Sequence, residues 1–463
     1  MNKLKDRLLH IKIPHTYVLL TIILLTVVAM TWVIPAGVYD RVLDEASGRM
    51  VVAPESFHFV EGVRPGFFDI FMALQRGYVS AANILFLIVF AYSYVYLLTE
   101  SGTLNNSIQV LVRLLGKHTH LLIPVCMILF GLLGATLGIF EETYGLIPVF
   151  IGIMSALGYD PLVGGSVVYV GVATGFAAAL TNPFSVGIAQ SIAEVPLNSG
   201  LMYRAVAFVV FQGVSIWYVM RYARKVKDDP AKSVLYGEPY EAQIPAPKEG
   251  PREFTPRQKL CLLLFFVTIG ILLYGTTQLE WYIDEIAAMF LMMMVITGIV
   301  AGYSATQICQ TFIAATKSVV PSILVIGFTR GILLTMQDAM ISDTIVYELA
   351  RLLNYSNKAL SAVGMLVLQN VINFFITGSS SQATITMPIM APVADIVGLS
   401  RQTAVLCYCF GDGFSDMFWP TACTLECGLM GVSINKWYRF IGPLFIIMIV
   451  LQVFFTILSV YIY

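Results

Sequence analysis

Charged side chains are scarce in this sequence. Asp, Glu, Lys and Arg make up only 12% of its 463 residues, whereas 58% are hydrophobic, and the mean hydropathy is +0.80. A soluble domain carries roughly 25% charged residues, so this composition is suited to lipid rather than water. The formal net charge of -1 gives no indication of a nucleic-acid partner. The composition therefore predicts an integral membrane protein whose solvent is the lipid bilayer.

Cysteines in long loops are absent, so no extracellular disulfide framework is expected. All seven cysteines lie in apolar segments. The pairs Cys407/Cys409 and Cys423/Cys427 are spaced closely enough to ligate a metal, but no histidine falls in the interior of an apolar segment. Since small residues commonly pack membrane helices, we interpret the cysteines as packing residues. We expect no cofactor and no metal site, apart from a site for a coupling ion, Na⁺ or H⁺.

Sequence signatures of pumps and enzymes are absent as well. The phosphate-binding pattern GxxxxGK followed by Ser or Thr does not occur, which argues against a P-loop ATPase. Neither the HExxH motif nor the spacing of a catalytic triad is found. Three classes remain, namely a channel, a membrane-embedded enzyme and a secondary transporter.

Seven long apolar runs are present instead, and each approaches the roughly 20 residues that a membrane-spanning helix needs. They are residues 16–36, 80–99, 202–220, 259–276, 284–302, 320–336 and 438–461. The first run follows Lys3, Lys5, Arg7 and Lys12 and is longer than the apolar core of about 7–15 residues in a signal peptide. We expect it to be a retained first helix that begins in the cytoplasm.

Two other apolar stretches are divided by a polar turn, and their second arms are too short to span a membrane. The first has arms 121–138 and 145–157 around Glu141, Glu142 and Thr143. The second has arms 359–375 and 385–397 around Gly378-Ser379-Ser380-Ser381-Gln382. This pattern predicts two re-entrant hairpins, at 121–157 and 359–397.

Two further segments, 163–193 and 401–431, are long enough to span but carry polar interruptions. The first is interrupted by Thr181-Asn182-Pro183-Phe184-Ser185, and the second by Gly411-Asp412-Gly413-Phe414-Ser415-Asp416. Backbone that leaves a helix at membrane depth must line a cavity or be buried in protein. The interruptions therefore predict broken helices beside a transport site. The alternative is that the interruptions are ordinary loops between short helices. The apolar flanks are longer than such loops would have, which argues against this alternative.

The second half of the sequence repeats the order of the first. Five short matches are collinear, and each partner follows after 235 to 240 residues; among them are Leu97-Leu98-Thr99 with Leu333-Leu334-Thr335 and Tyr203-Arg204 with Tyr438-Arg439. Such collinear matches indicate an internal repeat. We predict repeat A at 68–220 and repeat B at 307–463. Residues 1–67 then form the first helix and an outer loop, and 221–306 form a cytoplasmic linker and two connecting helices.

The distribution of Lys and Arg orients the chain. Loop 221–259 holds nine basic residues and is expected in the cytoplasm, whereas 38–78 holds six acids against four bases, which places it outside. If each hairpin returns to its own side, nine spans and two hairpins put the N-terminus inside and the C-terminus outside. The repeats would then be inverted, as in many secondary transporters. The expected location is the bacterial cytoplasmic (inner) membrane.

Few charges fall within the apolar segments, where a charge costs a few kcal/mol and persists mainly for a function. Glu141 and Glu142 lie at the first hairpin tip, Asp412 and Asp416 at the second helix break, and Arg330 in an apolar run. Four acids against one base predict an electronegative cavity, which favours a cationic or zwitterionic substrate, Na⁺ or H⁺ over a bare dicarboxylate. Two further acids, Asp395 and Glu426, are expected nearer the segment ends, within reach of interfacial water.

Polar residues at the tips and breaks complete the candidate site. They are Thr143, Thr181, Asn182, Pro183, Ser185, Asn370, Asn373, Ser379, Ser380, Ser381, Gln382 and Ser415. Unwound carbonyls beside them suit Na⁺, and the N-terminal amides of the half-helices attract a carboxylate, so the mixture suits an amino acid. Each position also has a structural alternative: a capping turn at Glu141 and Glu142, unwound amides satisfied by Asp412, and hydrogen bonds between helices for Asn370 and Asn373.

Several motifs are spread over nearly the whole chain. They include Lys12-Ile13-Pro14-His15-Thr16-Tyr17, Glu141-Glu142-Thr143, Asn182-Pro183-Phe184, Thr386-Met387-Pro388 and Gly411-Asp412-Gly413-Phe414-Ser415, with Gly378-Ser379-Ser380-Ser381-Gln382-Ala383 in outline. Together they resemble the YfcC-like transporters of the four-carbon-dicarboxylate anaerobic carrier (DcuC-like) family, in the ion-transporter superfamily. The sequence departs from the family pattern at Phe140, Tyr144 and Asp416-Met417-Phe418-Trp419. These departures bear on the choice of substrate and not on the fold.

The resemblance implies a scaffold domain for dimerisation, a moving transport domain and elevator-type alternating access. Some members of the family look like arginine/ornithine exchangers, whereas others are named for dicarboxylates. We therefore predict an all-α, homodimeric secondary transporter, not an enzyme, that moves a basic amino acid by exchange or ion coupling. A dicarboxylate carrier, with Arg330 and the hairpin amides as its anion site, is the alternative substrate class. A channel or membrane-embedded enzyme is the alternative of a different kind.

Overall fold

The structure is a computed structural model that describes residues 16–44, 49–53, 56–104, 106–107, 110, 116–237, 254–279, 281, 283–351 and 357–463. The described part of the chain is mostly helical. The basic residues expected to orient the first helix, Lys3 to Lys12, lie outside it. Residues 238–253 of the predicted linker also lie outside the described residues.

The N-terminal part consists of one apolar helix, a small strand region and two consecutive helices. Helix α1 spans Thr16–Val33, α2 spans Phe67–Ser80 and α3 spans Ala82–Glu100. Between α1 and α2, strand β1 (Gly37–Val38) pairs antiparallel with β4 (His58–Phe59), and β2 (Arg41–Asp44) pairs antiparallel with β3 (Arg49–Val52). The backbone N–H of Tyr39 and the Arg41 guanidinium both donate to the Asp343 carboxylate at 3.0 Å. These bonds attach the strand region to the helix Ser342–Arg351.

Residues 122–228 form a helix pair, a broken helix and a long helix, in that order. The pair consists of α4 (Leu122–Thr136) and α5 (Ile147–Ala156), joined through a 3₁₀ turn at Glu141–Leu146. Helix α6 (Pro161–Ala178) ends where Ala179 adopts a left-handed φ of 46°, and a π turn at Pro183–Gly187 leads into α7 (Ile188–Ile192). Helix α8 spans Leu201–Asp228. The interruption between α6 and α7 thus coincides with the polar run 181–185.

Three long helices and one short helix connect this part to its counterpart. They are α9 (Pro256–Gln278), α10 (Ile283–Ala301), α11 (Ala305–Asp338) and α12 (Ser342–Arg351). Helix α11 bends by 47° at Pro321, because proline removes a helical hydrogen bond and its ring crowds the preceding turn. Among the described helices, seven are long and apolar enough to span a membrane, or eight with the bent α11. Nine spans and two hairpins stay a prediction.

Residues 358–462 have the same order of elements as residues 122–228. The pair is α13 (Lys358–Phe375) and α14 (Ser379–Ile396), the broken helix is α15 (Arg401–Ser415) followed by α16 (Pro420–Met430), and the long helix is α17 (Ile434–Ile462).

Two boundaries in this second half differ from the sequence prediction. The polar run 378–382 is not a loop, because α14 begins at Ser379 and the serines form its first turn. The glycine-rich run 411–416 does not break the helix either, since α15 continues to Ser415. A Cβ at Gly413 would lie 2.5 Å from Cα of Ala177, so this glycine permits close helix packing instead of unwinding. The break lies at 416–419, just before Pro420, which has no N–H to continue the helix.

Helices α6 and α15 form the centre of the molecule. Every residue of α6 is buried, and α15 is buried from Gln402 to Ser415. A helix that is buried on all sides lies at the core of a large protein rather than at its lipid surface. The ends of these two helices meet, because the glycine at 413 packs on Ala177. Their interruptions are therefore neighbours in space although they are far apart in sequence.

Candidate functional site

A cavity of about 280 Å³ lies where the helix pair α4/α5 and the helix pair α13/α14 meet α16 and α11. This volume is near the lower end of the roughly 300–1,000 Å³ usual for small-ligand sites. Its polar lining comes from the turn after α4, the start of α14, the break before α16, and one turn of α11. These polar residues are Glu141, Glu142, Tyr144, Thr329, Arg330, Thr377, Ser379, Ser380, Ser381, Asp416, Thr421, Thr424 and Glu426.

Four carboxylic acids line this cavity together with one arginine. Glu141 and Glu142 come from the first turn, and Asp416 and Glu426 come from the second broken helix. Glu142 is oriented by its own turn, because its Oε2 accepts from the backbone N–H of Phe140 at 3.0 Å. The cavity therefore has an excess of negative charge, which favours a ligand with at least one cationic group.

Arg330 faces the acids from α11. It contributes to the cavity wall and interacts electrostatically with Glu141. Among the described residues it forms no ion pair within 4.0 Å, unlike the arginines at positions 41, 76, 351 and 401. Its guanidinium remains available to an anionic group in the cavity.

Asp412 differs from the other predicted acids because it lies behind the cavity wall. Its side chain is fully buried, and its Oδ2 accepts from Ser379 Oγ at 2.5 Å. The other carboxylate oxygen has no hydrogen-bond partner among the residues that the structure describes. Ser379 itself lines the cavity, so Asp412 is one hydrogen bond away from it. Three of the four acids proposed to converge thus line one cavity, and the fourth touches a lining residue.

Asn373 holds the end of α15 in place. Its Nδ2 lies 2.7 Å from the Asp412 carbonyl oxygen, 2.7 Å from Ser415 Oγ and 3.0 Å from Asp416 Oδ1. Asn373 is fully buried and does not line the cavity. Its position fixes the carboxylate of Asp416, which does line it. Asn373 and Ser415 therefore contact a cavity residue or its neighbour and do not line the cavity themselves.

The polar residues of the first break stabilise the backbone. Asn182 Oδ1 accepts from the N–H groups of Phe184 and Ser185 at 2.9 and 3.2 Å, and its Nδ2 donates to the Gly134 carbonyl. Thr181 donates to the Thr136 carbonyl. Of the residues in this break, Phe184 lines the cavity, whereas Thr181, Asn182, Pro183 and Ser185 do not. The break itself contacts the second helix pair, since Ser380 Oγ donates to the Phe184 carbonyl at 3.0 Å.

Three more predicted residues have structural contacts and do not line the main cavity. Thr143 is buried and donates to the Phe140 carbonyl at 2.7 Å. The side-chain Nδ2 of Asn370 donates to the Leu366 carbonyl. The backbone carbonyl of Asn370 accepts from the Trp419 indole N–H at 2.6 Å. Gln382 Nε2 donates to Gln369 Oε1 at 2.8 Å. The Asn370 side chain therefore bonds within its own helix, whereas the alternative of hydrogen bonds between helices matches the contacts of Asn373.

Glu426 was misplaced by the sequence prediction. It is only 2% exposed, lines the cavity and has an oxygen, Oε2, without a hydrogen-bond partner. The expectation of interfacial water is wrong for this residue because α16 begins at the central break, six residues earlier. Asp395 behaves as expected, since its carboxylate is about half exposed and bonds to Arg401 at 2.9 Å. The sequence feature that could have placed Glu426 in the cavity is an acid within a short apolar segment that directly follows a helix break.

All seven cysteines are free thiols, and five of them are buried, whereas Cys309 is exposed. Cys407 and Cys423 point their thiols at the carbonyls of Ala362 and Phe418, and Cys423 also forms a side-chain hydrogen bond with Cys427. Within the described ranges, no group of three or more His, Cys, Asp or Glu side chains is arranged to hold a metal ion.

Comparison with known proteins identifies the family. A family model described as the C4-dicarboxylate anaerobic carrier matches residues 13–461. The chain belongs to this family. It is 30% identical over 477 aligned residues to the "Putative basic amino acid antiporter YfcC" of Escherichia coli (strain K12), with 94% of each chain covered. It is 28% identical over 399 residues to an uncharacterized protein of Haemophilus influenzae, with 85% of this chain and 78% of that protein covered.

Two solved transporter structures are also similar to this chain. YdaH of Alcanivorax borkumensis matches 96% of this chain and 98% of its own, with 16% identity and a TM-score of 0.42. MtrF of Neisseria gonorrhoeae matches 98% of this chain and 96% of its own, with 16% identity and a TM-score of 0.43. These scores are too low to establish a common fold. The family match confirms the resemblance seen in the motifs and makes the chain a membrane transporter, not an enzyme.

Proposed function

We propose that this protein is a secondary transporter that exchanges basic amino acids of the arginine/ornithine type. The observation that supports this most strongly is the charge of the cavity: four acids, with one arginine facing them. A ligand with two cationic groups and one carboxylate complements that arrangement better than a dicarboxylate does. The relative described as a basic amino acid antiporter is consistent with this substrate class and with exchange.

Exchange follows from competition for the same acids. Carboxylates that share one cavity repel each other, and a bound cation relieves that repulsion. A second substrate, Na⁺ or H⁺ relieves it equally, so an occupied carrier is favoured over an empty one. Glu141, Glu142 and Asp416 would bind the cationic groups directly, and Asp412 would act through Ser379.

The movement we propose is of the elevator type between two inverted repeats. The shared element order of residues 122–228 and 358–462 supports the repeat, and the contact between Ser380 and the first break supports a site at the repeat interface. The N-terminus would lie in the cytoplasm and the C-terminus outside the inner membrane. Helices α1, α3, α9, α10 and α11 would form the static scaffold of a homodimer.

The test is counterflow in proteoliposomes. Vesicles loaded with ornithine should take up labelled arginine in a saturable manner, and empty vesicles should take up far less. Glu141→Gln should abolish uptake or change its Na⁺ or pH dependence, while expression stays near that of the wild type. Glu348→Gln is the matched control, because this acid is exposed and pairs only with Arg351 in the same helix turn.

Uptake through an open channel would not depend on the internal substrate, so equal uptake by loaded and empty vesicles would contradict exchange. A dicarboxylate carrier is the second candidate, favoured by the unpaired Arg330. It predicts counterflow of succinate in place of arginine, with loss of that counterflow in Arg330→Met and not in Glu141→Gln. That result would refute the assignment to basic amino acids.

A further inference from the structure

The charges in the cavity are not distributed evenly. Glu426 projects from α16, which follows the second break, whereas Arg330 projects from α11, one of the connecting helices. Glu141 lines the same cavity and interacts electrostatically with both residues. The cavity wall therefore carries an acidic end, Glu426 on α16, and a basic end, Arg330 on α11.

Within the described residues, neither end group forms an ion pair within 4.0 Å. Glu426 is only 2% exposed; it accepts a hydrogen bond from the Tyr144 hydroxyl, whereas its Oε2 has no partner among the described residues. A buried carboxylate oxygen without a partner is costly, so a cationic ligand group would be stabilised at this end. Arg330 is only partly buried, and its guanidinium at the cavity wall attracts an anionic ligand group.

We propose that Glu426 binds the side-chain cation of the substrate and that Arg330 binds its α-carboxylate. This assignment rests on the proposed function, because it names how the same cavity orients a basic amino acid. We assign the α-ammonium to Glu141, which also lines the cavity. Since Arg330 and Glu426 belong to different helices, a bound amino acid links α11 to α16. A ligand that lacks either charge would leave one end without its partner.

Three ligands separate the two ends. Arginine carries both charges, citrulline replaces the guanidinium with a neutral group of similar shape, and agmatine lacks the carboxylate. A charge-assisted hydrogen bond contributes about 1.5–3 kcal/mol, which corresponds to about a 10- to 150-fold difference in affinity. The purified full-length protein should therefore bind arginine at least about 10-fold more tightly than citrulline, and by a similar factor more tightly than agmatine. Isothermal titration in detergent measures all three.

The variants should remove one preference at a time. Glu426→Gln should bring the arginine-to-citrulline affinity ratio close to one and leave the arginine-to-agmatine ratio unchanged. Arg330→Met should do the opposite. The surface pair Glu348 and Arg351 provides matched controls, because Glu348→Gln and Arg351→Met should leave both ratios unchanged. A merely structural role would weaken the binding of all three ligands by the same factor.

The outcomes distinguish this inference from the proposed function. If the wild type prefers arginine and Glu426→Gln retains the full preference over citrulline, the orientation is wrong while the basic amino acid substrate stands. Equal weakening for all ligands in both variants also overturns the orientation. If the wild type binds none of the three but binds succinate, the proposed function and this inference both fail.

Discussion

Replacing Arg204 tests whether the first helix break is held by a buried cation. The Arg204 side chain is fully buried. Its Nε donates to the Ala179 carbonyl at 2.8 Å, its Nη1 to Ser199 at 2.6 Å and its Nη2 to Leu180 at 3.0 Å. Ala179 and Leu180 end helix α6, where the carbonyls carry the negative end of the helix dipole. Arg204→Met removes all three donors; the Ala179 carbonyl is then buried without this partner, the Leu180 carbonyl is partly buried, and the Ser199 carbonyl retains the amide of Gln190 as a donor.

The expected loss of stability follows from these contacts. A buried carbonyl that loses its donor costs about 1–3 kcal/mol. Because the losses are neighbours and are not additive, and because the Ser199 carbonyl keeps another donor, we expect about 2–4 kcal/mol in total for Arg204→Met. Arg204→Lys retains the positive charge but has no planar fork to reach three carbonyls. It should lose about half as much.

Thermal unfolding of the purified protein in mild detergent measures the effect, with and without arginine. The sequence repeat supplies the control, since Tyr203-Arg204 matches Tyr438-Arg439 and the second arginine is exposed. Arg439→Met should change the stability by less than about 0.5 kcal/mol, as surface substitutions usually do. If Arg204→Met unfolds at the same temperature as Arg439→Met, the structural role of the buried guanidinium is refuted.

Three further predictions concern packing, positioning and topology. Gly413→Ala should destabilise the protein, because its Cβ would lie 2.5 Å from a backbone atom of α6, whereas Gly442→Ala, with no atom within 4 Å, should be neutral in thermal unfolding. Asn373→Ala should keep expression but lower the transport rate at least several-fold, because Asp416 loses its amide partner; unchanged proteoliposome kinetics would contradict this. A cysteine added after Tyr463 should react with an impermeant thiol reagent from outside intact cells, and reaction only from the cytoplasm would exclude the inverted arrangement.

Much of the acidic cavity could be predicted because charges in apolar segments are rare. Glu141, Glu142 and Asp416 were selected for that reason, and all three line the cavity. Asp412 was selected on the same ground but lies behind the wall. The direction of its side chain depends on how α15 continues past the glycines, which depends on tertiary packing against α6 and α13.

Glu426 shows where the sequence argument fails. Its distance from the end of segment 401–431 suggested contact with water, but depth in a membrane protein depends on where a half-helix begins. Helix α16 begins at the central break, so its first two turns are buried. A similar effect applies to the serines at 379–381, which the sequence placed in the polar turn before the second arm at 385–397. In the structure they form the first turn of α14, because that helix begins at Ser379.

Protection of a cavity residue by substrate tests the central claim most directly. Ser381 is exposed and lines the cavity, so a cysteine there should react with a small thiol reagent. The exposed native Cys309 is replaced by Ser in this background and, in a parallel protein, retained as the control. Saturating arginine should slow the modification of Ser381→Cys at least several-fold and leave that of Cys309 unchanged. Equal modification rates with and without arginine, in a variant that still exchanges arginine, would contradict the assignment of this cavity as the substrate site.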